Sequence, residues 1–467
     1  MTGGKAPGAP GTDPVRRAAL RILTRLENRK DGRDGGYLQI LTDKAIKKSS
    51  PQMSDADRAL LTLLTAGVTE RRITLDHIIA QLSSRELPSL DPEVLALCRM
   101  GIYQLGYTDR IPAHAAVYET VALAGRAKGF VNGILRSYLR RREEISFPAR
   151  PLPPGEGLKS EEYLQGFSDY LSVNFSLDPG LCRRLVSVLG EEGAVSVAEA
   201  FFSAPRPTLR ANTLRTTPGG LAQALAAEGF EALPTADAPF GLRIISGRGL
   251  PAAVGAGLAF VQDEASQIAG EVLGARPGDF VLDACSCPGS KAFYAAMSME
   301  NRGRIVACDI HASKLPLVRS GAERLGIDII ETAERDSSAP LPAEMTGVFD
   351  RLICDVPCSG YGVIAKKPEL RYKKPACPPV LPGLQLRILE SASAALKPGG
   401  RLVYSTCTLL PEENAGVVGR FLSEHPEFAA ADFAVGSRRS SGGSLTLLPD
   451  GGTDGFFIAL IVRKHTV

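Results

Sequence analysis

The 467-residue sequence has no uninterrupted run of about 20 uncharged apolar residues, the length that a membrane-spanning helix requires. Its first residues, "MTGGKAPGAPGTDPVRR", contain no apolar segment of the kind found in secretion signals. The nine cysteines are odd in number and scattered, which disfavours a disulfide framework. Cys285 and Cys287 have no second Cys or His pair at zinc-finger spacing, so a structural metal site is not expected. These absences predict a soluble, cytoplasmic protein with reduced thiols.

The charge of the chain is close to balanced but unevenly distributed. A chain of this length is too long for one hydrophobic core and predicts two to four domains. Residues 1 to 150 contain 24 Lys and Arg against 16 Asp and Glu, whereas the remainder contains 30 against 35. A basic front module favours a polyanion as partner, although a solvated Arg-rich helical surface explains the charge equally well.

The front of the chain has the apolar spacing of helices. From Pro14 to about Glu144, segments such as "VRRAALRILTRL" and "DPEVLALCRMGIYQLGY" predict an all-α bundle of six or seven helices, with Asp55 and Asp91 as N-caps. Residues 148–160 are rich in Pro and Gly and predict a linker after a first domain of residues 1–147. Residues 161–257 combine helices with short strands, which predicts a small α+β module.

The last part of the chain, residues 258–467, alternates between strand and helix. "FVLDACS", "RIVACDI", "IDIIETA", "FDRLICDV" and "RLVYSTC" are strand-like runs separated by helical segments. This alternation predicts a doubly wound α/β domain with a parallel sheet. Ligands of such domains bind beyond the carboxyl ends of the strands.

Carboxylates follow three of these strands, at Asp309, Asp336 and Asp355. The first strand runs into the small-residue turn "CSCPGSK", where backbone N–H groups can approach a ligand, and Asp309 follows Gly289 by 20 residues. Each aspartate taken alone is explained as well by a helix N-cap. The combination favours a nucleoside-bearing cofactor.

The fourth and fifth strands each end near a cysteine. Cys358 lies in the turn "PCSG", and Cys407 is surrounded by the hydroxyls of a "STCT" segment. If the two strands are neighbours, both sulfurs face one cleft. Cys308 and Cys354, within their strands, are expected to be small buried hydrophobes.

Five segments together resemble the RNA cytosine-5 methyltransferases: "VLDACSCPGSK", "ACDIHASKL", "CDVPCSGYGV", "YSTCTLLPEEN" and "GTDGFFIALIVRK". The resemblance extends from "RPTLRANTL" to the C-terminus. The front module, with "ALCRMGIYQLGY" and "KGFVNGILRSYLR", resembles the helical RNA-binding domain of the NusB family. The resemblance implies a NusB-like N-terminal bundle and a Rossmann-like methyltransferase domain.

The resemblance also implies a cofactor, a substrate and a set of site residues. The cofactor is S-adenosylmethionine, and the substrate is RNA, most specifically a cytosine of 16S rRNA, with no DNA or membrane partner and a monomeric chain. Cys407 is the nucleophile at cytosine C6, Cys358 assists release, Asp355 contacts the base, and Lys291 lowers a thiol pKa. The residues implied to bind the cofactor are Ser286, Cys287, Pro288, Gly289, Ser290, Lys291, Asp309, Asp336 and Asp355.

The sequence departs from the family pattern in its cofactor turn and in its aromatic content. Ser286 and Cys287 precede Pro288, Ser290 replaces a second glycine, and the chain has no Trp. Two alternatives therefore stay open: the same chemistry on tRNA or another RNA, and a non-catalytic RNA-binding ribosome-assembly factor.

Two further segments have roles that the sequence predicts. Tyr361 and Tyr372, in a loop with Lys366, Lys367, Arg371, Lys373 and Lys374, are predicted to stack on bases and contact phosphates. Pro411, Glu412 and Glu413 are predicted to form the first turn of the helix that follows Cys407.

Overall fold

The computed structural model describes residues 13–27, 38–49, 53–152, 161–203, 206–376 and 379–465. These residues fall in two compact units. The helical unit comprises Met1–Phe202 with Lys366–Lys374, and the sheet unit comprises Ser203–Ala365 with Pro375–Val467. Among the helices of the described ranges, none combines the length and apolar character that crossing a membrane requires.

The helical unit is built from amphipathic helices whose apolar faces pack on one another. In its described residues the helices are α1 Pro14–Glu27, α2 Leu38–Ser49, α3 Asp55–Glu70, α4 Arg72–Leu82, α5 Pro92–Gly106, α6 Ala113–Leu123, α7 Lys128–Arg141, α8 Glu161–Phe175 and α9 Pro179–Ala200. The prediction of an all-α front bundle is confirmed.

Two helix starts show how local sequence sets these boundaries. Asp91 is the N-cap of α5, as predicted, and its carboxylate accepts the Glu93 N–H. The N-cap of α3 is Ser54 rather than the predicted Asp55, because Ser54 and Asp57 form a reciprocal capping box.

The compact units divide the chain differently from the predicted domain boundaries. Helices α8 and α9 belong to the helical unit, so the division falls at residues 202 and 203. Residues 153–160 of the predicted linker lie outside the described residues. The segment Lys366–Lys374, which follows the fourth predicted strand in sequence, is also part of the helical unit.

The sheet unit begins with a small antiparallel sheet of order β2-β3-β1-β4. Its elements are β1 Thr208–Ala211, α10 Pro218–Ala227, β2 Glu231–Pro234, β3 Gly241–Ser246, α11 Ala252–Gly255 and β4 Ala259–Val261. These are the short strands around a helix that the sequence predicted for this region.

The main sheet has the order β10-β14-β9-β8-β5-β6-β7, and β13 pairs with β14. Its strands are β5 Phe280–Asp283, β6 Arg304–Asp309, β7 Ile330–Glu334, β8 Phe349–Asp355, β9 Leu396–Thr406, β10 Phe428–Ala430, β13 Ser444–Leu447 and β14 Phe456–Arg463; β11 Ala434–Val435 and β12 Arg438–Arg439 pair separately. The helices are α12 Glu264–Leu273, α13 Ser290–Ser298, α14 Leu315–Leu325, α15 Leu381–Ser393 and α16 Ala415–Glu424.

The five predicted strands are therefore β5 to β9, and they pair in parallel. Strand β14 is antiparallel to β9 and closes one side of this parallel core. Cys308 and Cys354 are fully buried within β6 and β8, as expected. The predicted Rossmann-like fold is confirmed, and the carboxyl ends of β5 to β9 lie along one edge.

The loop aromatics predicted to stack on RNA are engaged inside the protein, which makes that prediction wrong. Tyr361 is 1% exposed. The Arg371 guanidinium is buried and donates to the carbonyls of Phe175 and Phe201, at 2.8 and 2.6 Å. The Tyr372 hydroxyl donates to a backbone carbonyl of α3, and the guanidinium of Arg72 lies over its ring. The four lysines of the segment are exposed.

We predict that Tyr372→Phe destabilises the helical unit without weakening RNA binding. The change removes the hydroxyl that accepts the Arg72 N–H at 2.9 Å and donates to the Thr69 carbonyl. Leaving such groups unpaired costs about 1–3 kcal/mol. Chemical denaturation followed by circular dichroism measures the loss, with Glu86→Gln at an exposed position outside the α6–α7 surface as the control. Unchanged stability with weaker RNA binding would contradict the structural role.

Candidate active site

The site is positioned by the parallel pairing of β8 with β9. Asp355, the last residue of β8, is in register with Ser405 of β9. The next amide, the Val356 N–H, still donates to the Ser405 carbonyl at 3.1 Å. Both strands then end, so the segments that follow them leave the sheet side by side.

This pairing brings Cys358 and Cys407 together. Their sulfur atoms are 3.3 Å apart, and both residues are half-buried. The adjacent Cys407 sulfur, followed by burial, raises the pKa of Cys358 well above its usual value. At this separation one thiol can donate its S–H to the other sulfur, and either sulfur can be the donor.

Lys291 and Asp355 form the charged part of the site. The buried Lys291 ammonium lies 2.6 Å from Asp355 Oδ2, and Ser405 Oγ donates to Asp355 Oδ1 at 2.7 Å. Both carboxylate oxygens are thus held by fixed donors. The sequence prediction paired Lys291 with a thiol, whereas the structure places its ammonium on Asp355.

The turn between β5 and α13 is held by backbone hydrogen bonds. The Ser286 N–H donates to the Cys308 carbonyl at 2.8 Å, and Gly289 occupies a left-handed conformation with φ of 108°. A Cβ on Gly289 would come within 2.6 Å of the Phe293 ring, so the turn requires glycine there. Pro288 is exposed, and Ser290 begins α13.

Asp309 and Asp336 lie where predicted, at the ends of β6 and β7. Asp309 Oδ1 accepts the His311 N–H at 2.8 Å, and Asp336 Oδ1 accepts the Ser338 N–H at 2.9 Å. Burial and the nearby Asp309 carboxylate raise the pKa of the Cys287 thiol to about 12. Each aspartate therefore accepts a hydrogen bond within its own loop at the carboxyl edge of the sheet, and neither is the helix N-cap that the sequence also allowed, because the N-caps that follow β6 and β7 are His311 and Pro342.

Sequence reasoning assigned no role to Asp283, the last residue of β5. It is 1% exposed, and neither carboxylate oxygen has a regular hydrogen-bond partner within the described ranges. Burial raises its pKa to about 7, while the neighbouring Ser286 acts in the opposite direction. The available signal was a charged residue ending an otherwise apolar strand.

The residues at this edge fit a cationic, nucleoside-bearing cofactor. The buried carboxylate of Asp283 and the buried hydroxyl of Ser286 are polar groups without regular partners among the described residues. A ligand that carries an ammonium and a sulfonium group would complement such a carboxylate. Asp309 offers an acceptor at the end of the adjacent strand, which suits ribose hydroxyls.

Sequence reasoning also mistook the segment after Cys407. Pro411–Glu413 forms a separate 3-10 turn, and α16 begins only at Ala415. Glu413 is therefore not in the first turn of α16, and its side chain is buried at 3% exposure. Because a separate 3-10 turn precedes α16, the rules for helix starts could not predict that the Glu413 side chain is buried.

Comparison with known families matches both parts of the chain. A family model described as 16S rRNA methyltransferase RsmB/F matches residues 271–462. A model of the NusB family matches residues 13–140. The first match contains the strands β5 to β9 and both thiols, and the second contains most of α1 to α7.

Relatives and solved structures align over nearly the whole chain. A probable ribosomal RNA small subunit methyltransferase B of Bacillus subtilis (strain 168) is 32% identical and covers 96% of this chain and 99% of its own length. The ribosomal RNA small subunit methyltransferase B of Pseudomonas putida is also 32% identical, over 91% of this chain and 96% of its own. The crystal structure of PH0851 has a TM-score of 0.75 at 25% identity, covering 96% of this chain and 98% of that chain.

We predict that Asp283 makes the protein less stable as the pH rises from about 4 to 7. Its carboxyl pKa is 3.8 in the reference state and about 7 when folded, so only the folded form holds the proton across that window. The free energy of unfolding then falls by roughly 1.4 kcal/mol per pH unit from this group. Asp283→Asn removes the effect, so the stability of wild type relative to the variant should decline with pH. Parallel pH profiles in urea denaturation would contradict it.

Proposed function

Because the chain belongs to the ribosomal RNA small subunit methyltransferase B family, we propose that it methylates C5 of a cytosine in 16S rRNA. The observation that carries the proposal is the pair of sulfurs at the ends of β8 and β9, 3.3 Å apart. A protein that only binds RNA has no evident use for two thiols in one cleft. Covalent catalysis at a pyrimidine ring has a use for both.

The reaction requires a nucleophile because cytosine C5 is itself unreactive toward a methyl donor. The Cys407 thiolate attacks C6, and the new S–C6 bond makes C5 enamine-like. S-adenosylmethionine, when bound, supplies the methyl group that C5 takes. The pKa of Cys358 is raised first by the adjacent Cys407 sulfur and then by burial, which disfavours Cys358 as the attacking thiolate and leaves that role to Cys407.

We assign to Asp355 the role of holding the base during the attack. Lys291 and Ser405 donate to its two oxygens and fix the plane of the carboxylate. The remaining lone pairs accept hydrogen bonds from the exocyclic amine and from a protonated N3. Protonation of N3 draws electron density from the ring and favours addition at C6.

The methylated intermediate must lose the C5 proton and release the enzyme. The C5 proton passes to solvent water as the C5–H bond breaks, the electron pair of that bond restores the C5–C6 double bond, and the electron pair of the S–C6 bond returns to Cys407 as a thiolate. Cys358 assists this step from its position 3.3 Å away. The turn Ser286–Ser290, Asp283, Asp309 and Asp336 would hold the cofactor along the neighbouring strand ends.

We predict that the two thiol variants fail in different ways. Cys407→Ala should abolish methyl transfer and form no covalent RNA complex, while cofactor binding persists. Cys358→Ala should still attack and methylate but remain attached to the RNA through Cys407. A denaturant-resistant protein–RNA band on a gel should appear for Cys358→Ala and vanish in the double variant.

The buried Cys308 is the control for a cysteine with a structural role only. Cys308→Ala should behave like wild type in the adduct assay. An adduct from Cys407→Ala but not from Cys358→Ala would reverse the roles of the thiols. The absence of methyl transfer and adduct in wild type would sink the proposed function.

The helical unit offers a surface for the RNA. A groove of about 660 Å³ lies between α6 and α7, with Val117 and Val121 on its apolar wall and Tyr118 exposed beside it. Lys128 and Arg136 contribute two cations to its lining. An exposed aromatic ring next to cations suits an unstacked base with its phosphates.

We predict that neutralising this groove weakens RNA binding in a salt-dependent manner. Lys128→Gln with Arg136→Gln should reduce affinity and lower the slope of log affinity against log salt by about 0.7 per lost phosphate contact on single-stranded RNA. Lys47→Gln with Lys48→Gln removes the same charge from α2, outside the groove lining, and is the matched control. Equal changes in slope for both double variants would rule out a specific role for the groove.

A further inference from the structure

Glu413 holds both neighbours of Cys358. Its Oε2 accepts the Ser359 N–H at 2.8 Å and an N–H of the Gln385 amide at 2.9 Å. The same Gln385 nitrogen donates to the Pro357 carbonyl at 3.0 Å. The backbone on each side of Cys358 is thus tied to one buried carboxylate, directly at Ser359 and through Gln385 at Pro357.

Asn414 holds both neighbours of Cys407. Its Oδ1 accepts the Thr406 hydroxyl at 2.5 Å, and its Nδ2 donates to the Thr408 carbonyl at 3.0 Å. The residue is 3% exposed. One amide group therefore spans Cys407 and fixes the strand end on which the thiol stands.

Glu413 and Asn414 are consecutive residues, and hydrogen bonds also link the two segments that they hold. The Ser359 hydroxyl lies 2.6 Å from the Thr408 hydroxyl, and the Tyr404 hydroxyl donates to the Glu413 carbonyl at 2.6 Å. The segment that follows Cys407 thus turns back on the sheet. Hydrogen bonds from the residues on either side of each sulfur thus converge on Glu413 and Asn414.

These contacts are not explained by helix capping. Asn414 stands at the N-cap position of α16, yet its side chain makes no capping hydrogen bond there. A carboxylate buried as deeply as Glu413 costs free energy unless it is hydrogen-bonded. The partners of its Oε2 atom lie on the Cys358 turn and on the glutamine that braces that turn.

We propose that Glu413 and Asn414 are positioning residues that divide the two thiols between them, Glu413 fixing Cys358 and Asn414 fixing Cys407. The inference rests on the proposed function, because the roles differ only if the thiols act in different steps. Loosening Cys358 slows release of the methylated RNA. Loosening Cys407 slows the attack that precedes it.

Single-turnover and steady-state assays on the full chain separate these effects. Glu413→Ala should keep single-turnover methyl transfer within about threefold of wild type, lower steady-state turnover, and accumulate the denaturant-resistant RNA adduct. Asn414→Ala should lower single-turnover methyl transfer and accumulate no adduct. Displacing a reacting group by about 1 Å costs roughly a hundredfold, so losses of tenfold to a hundredfold are expected.

Conservative variants separate positioning from a general loss of structure. Glu413→Gln keeps an oxygen that can accept both hydrogen bonds and should restore turnover, whereas a purely structural carboxylate would give no such rescue of the release step. Gln385→Ala removes the brace at Pro357 and should show the Glu413→Ala pattern more weakly. Glu424→Ala removes an exposed carboxylate from α16 and should match wild type.

The results also distinguish failure of this inference from failure of the proposed function. If wild type forms no methylated RNA, the function itself fails. Suppose that wild type methylates RNA and Cys358→Ala forms the adduct, as proposed. If Glu413→Ala and Asn414→Ala then lose single-turnover methyl transfer and steady-state turnover equally and form no adduct, the division of roles is overturned. If Glu413→Ala does not fold, Gln385→Ala is the test of the same role. A normal rate of RNA release in Gln385→Ala would overturn the positioning role of Glu413.

Discussion

The parallel pairing of β8 with β9 is the constraint on which the site depends. The register that sets Asp355 opposite Ser405 also decides where each strand stops, and hence where each following cysteine stands. A shift of one residue would turn the carboxylate to the other face of the sheet and separate the sulfurs. The apolar residues of the two strands are buried on both sides, so this register is strongly specified.

Charge and burial then give these neighbours different characters. Asp355 is hydrogen-bonded to a lysine and a hydroxyl, whereas Asp283, at the end of the adjacent strand β5, is buried with a raised pKa. The adjacent Cys407 sulfur, followed by burial, raises the pKa of Cys358. Similar side chains therefore differ because of what surrounds each one.

Patterns within a segment were enough to predict much of this. The five core strands are apolar runs bounded by turns, and adjacency of the fourth and fifth places Cys358 beside Cys407. The failures involve contacts between segments far apart in sequence. The Tyr372 hydroxyl donates to a carbonyl 303 residues away in sequence, and nothing in its own Lys-rich loop signals that partner. Glu413 looks like a residue of a helix start, and only the turn before α16 reveals that it faces inward.

Because the segment Lys366–Lys374 belongs to the helical unit, no single break in the chain divides the two compact units. The chain leaves the sheet unit after Ala365, contributes Arg371 and Tyr372 to the helical unit, and returns at Pro375. If residues 203–467 were produced alone, Arg371 would lose the carbonyls of Phe175 and Phe201 to which its guanidinium donates in the full chain. A gene fragment that ends at residue 202 therefore does not encode the whole helical unit, because the segment Lys366–Lys374 would be missing from it.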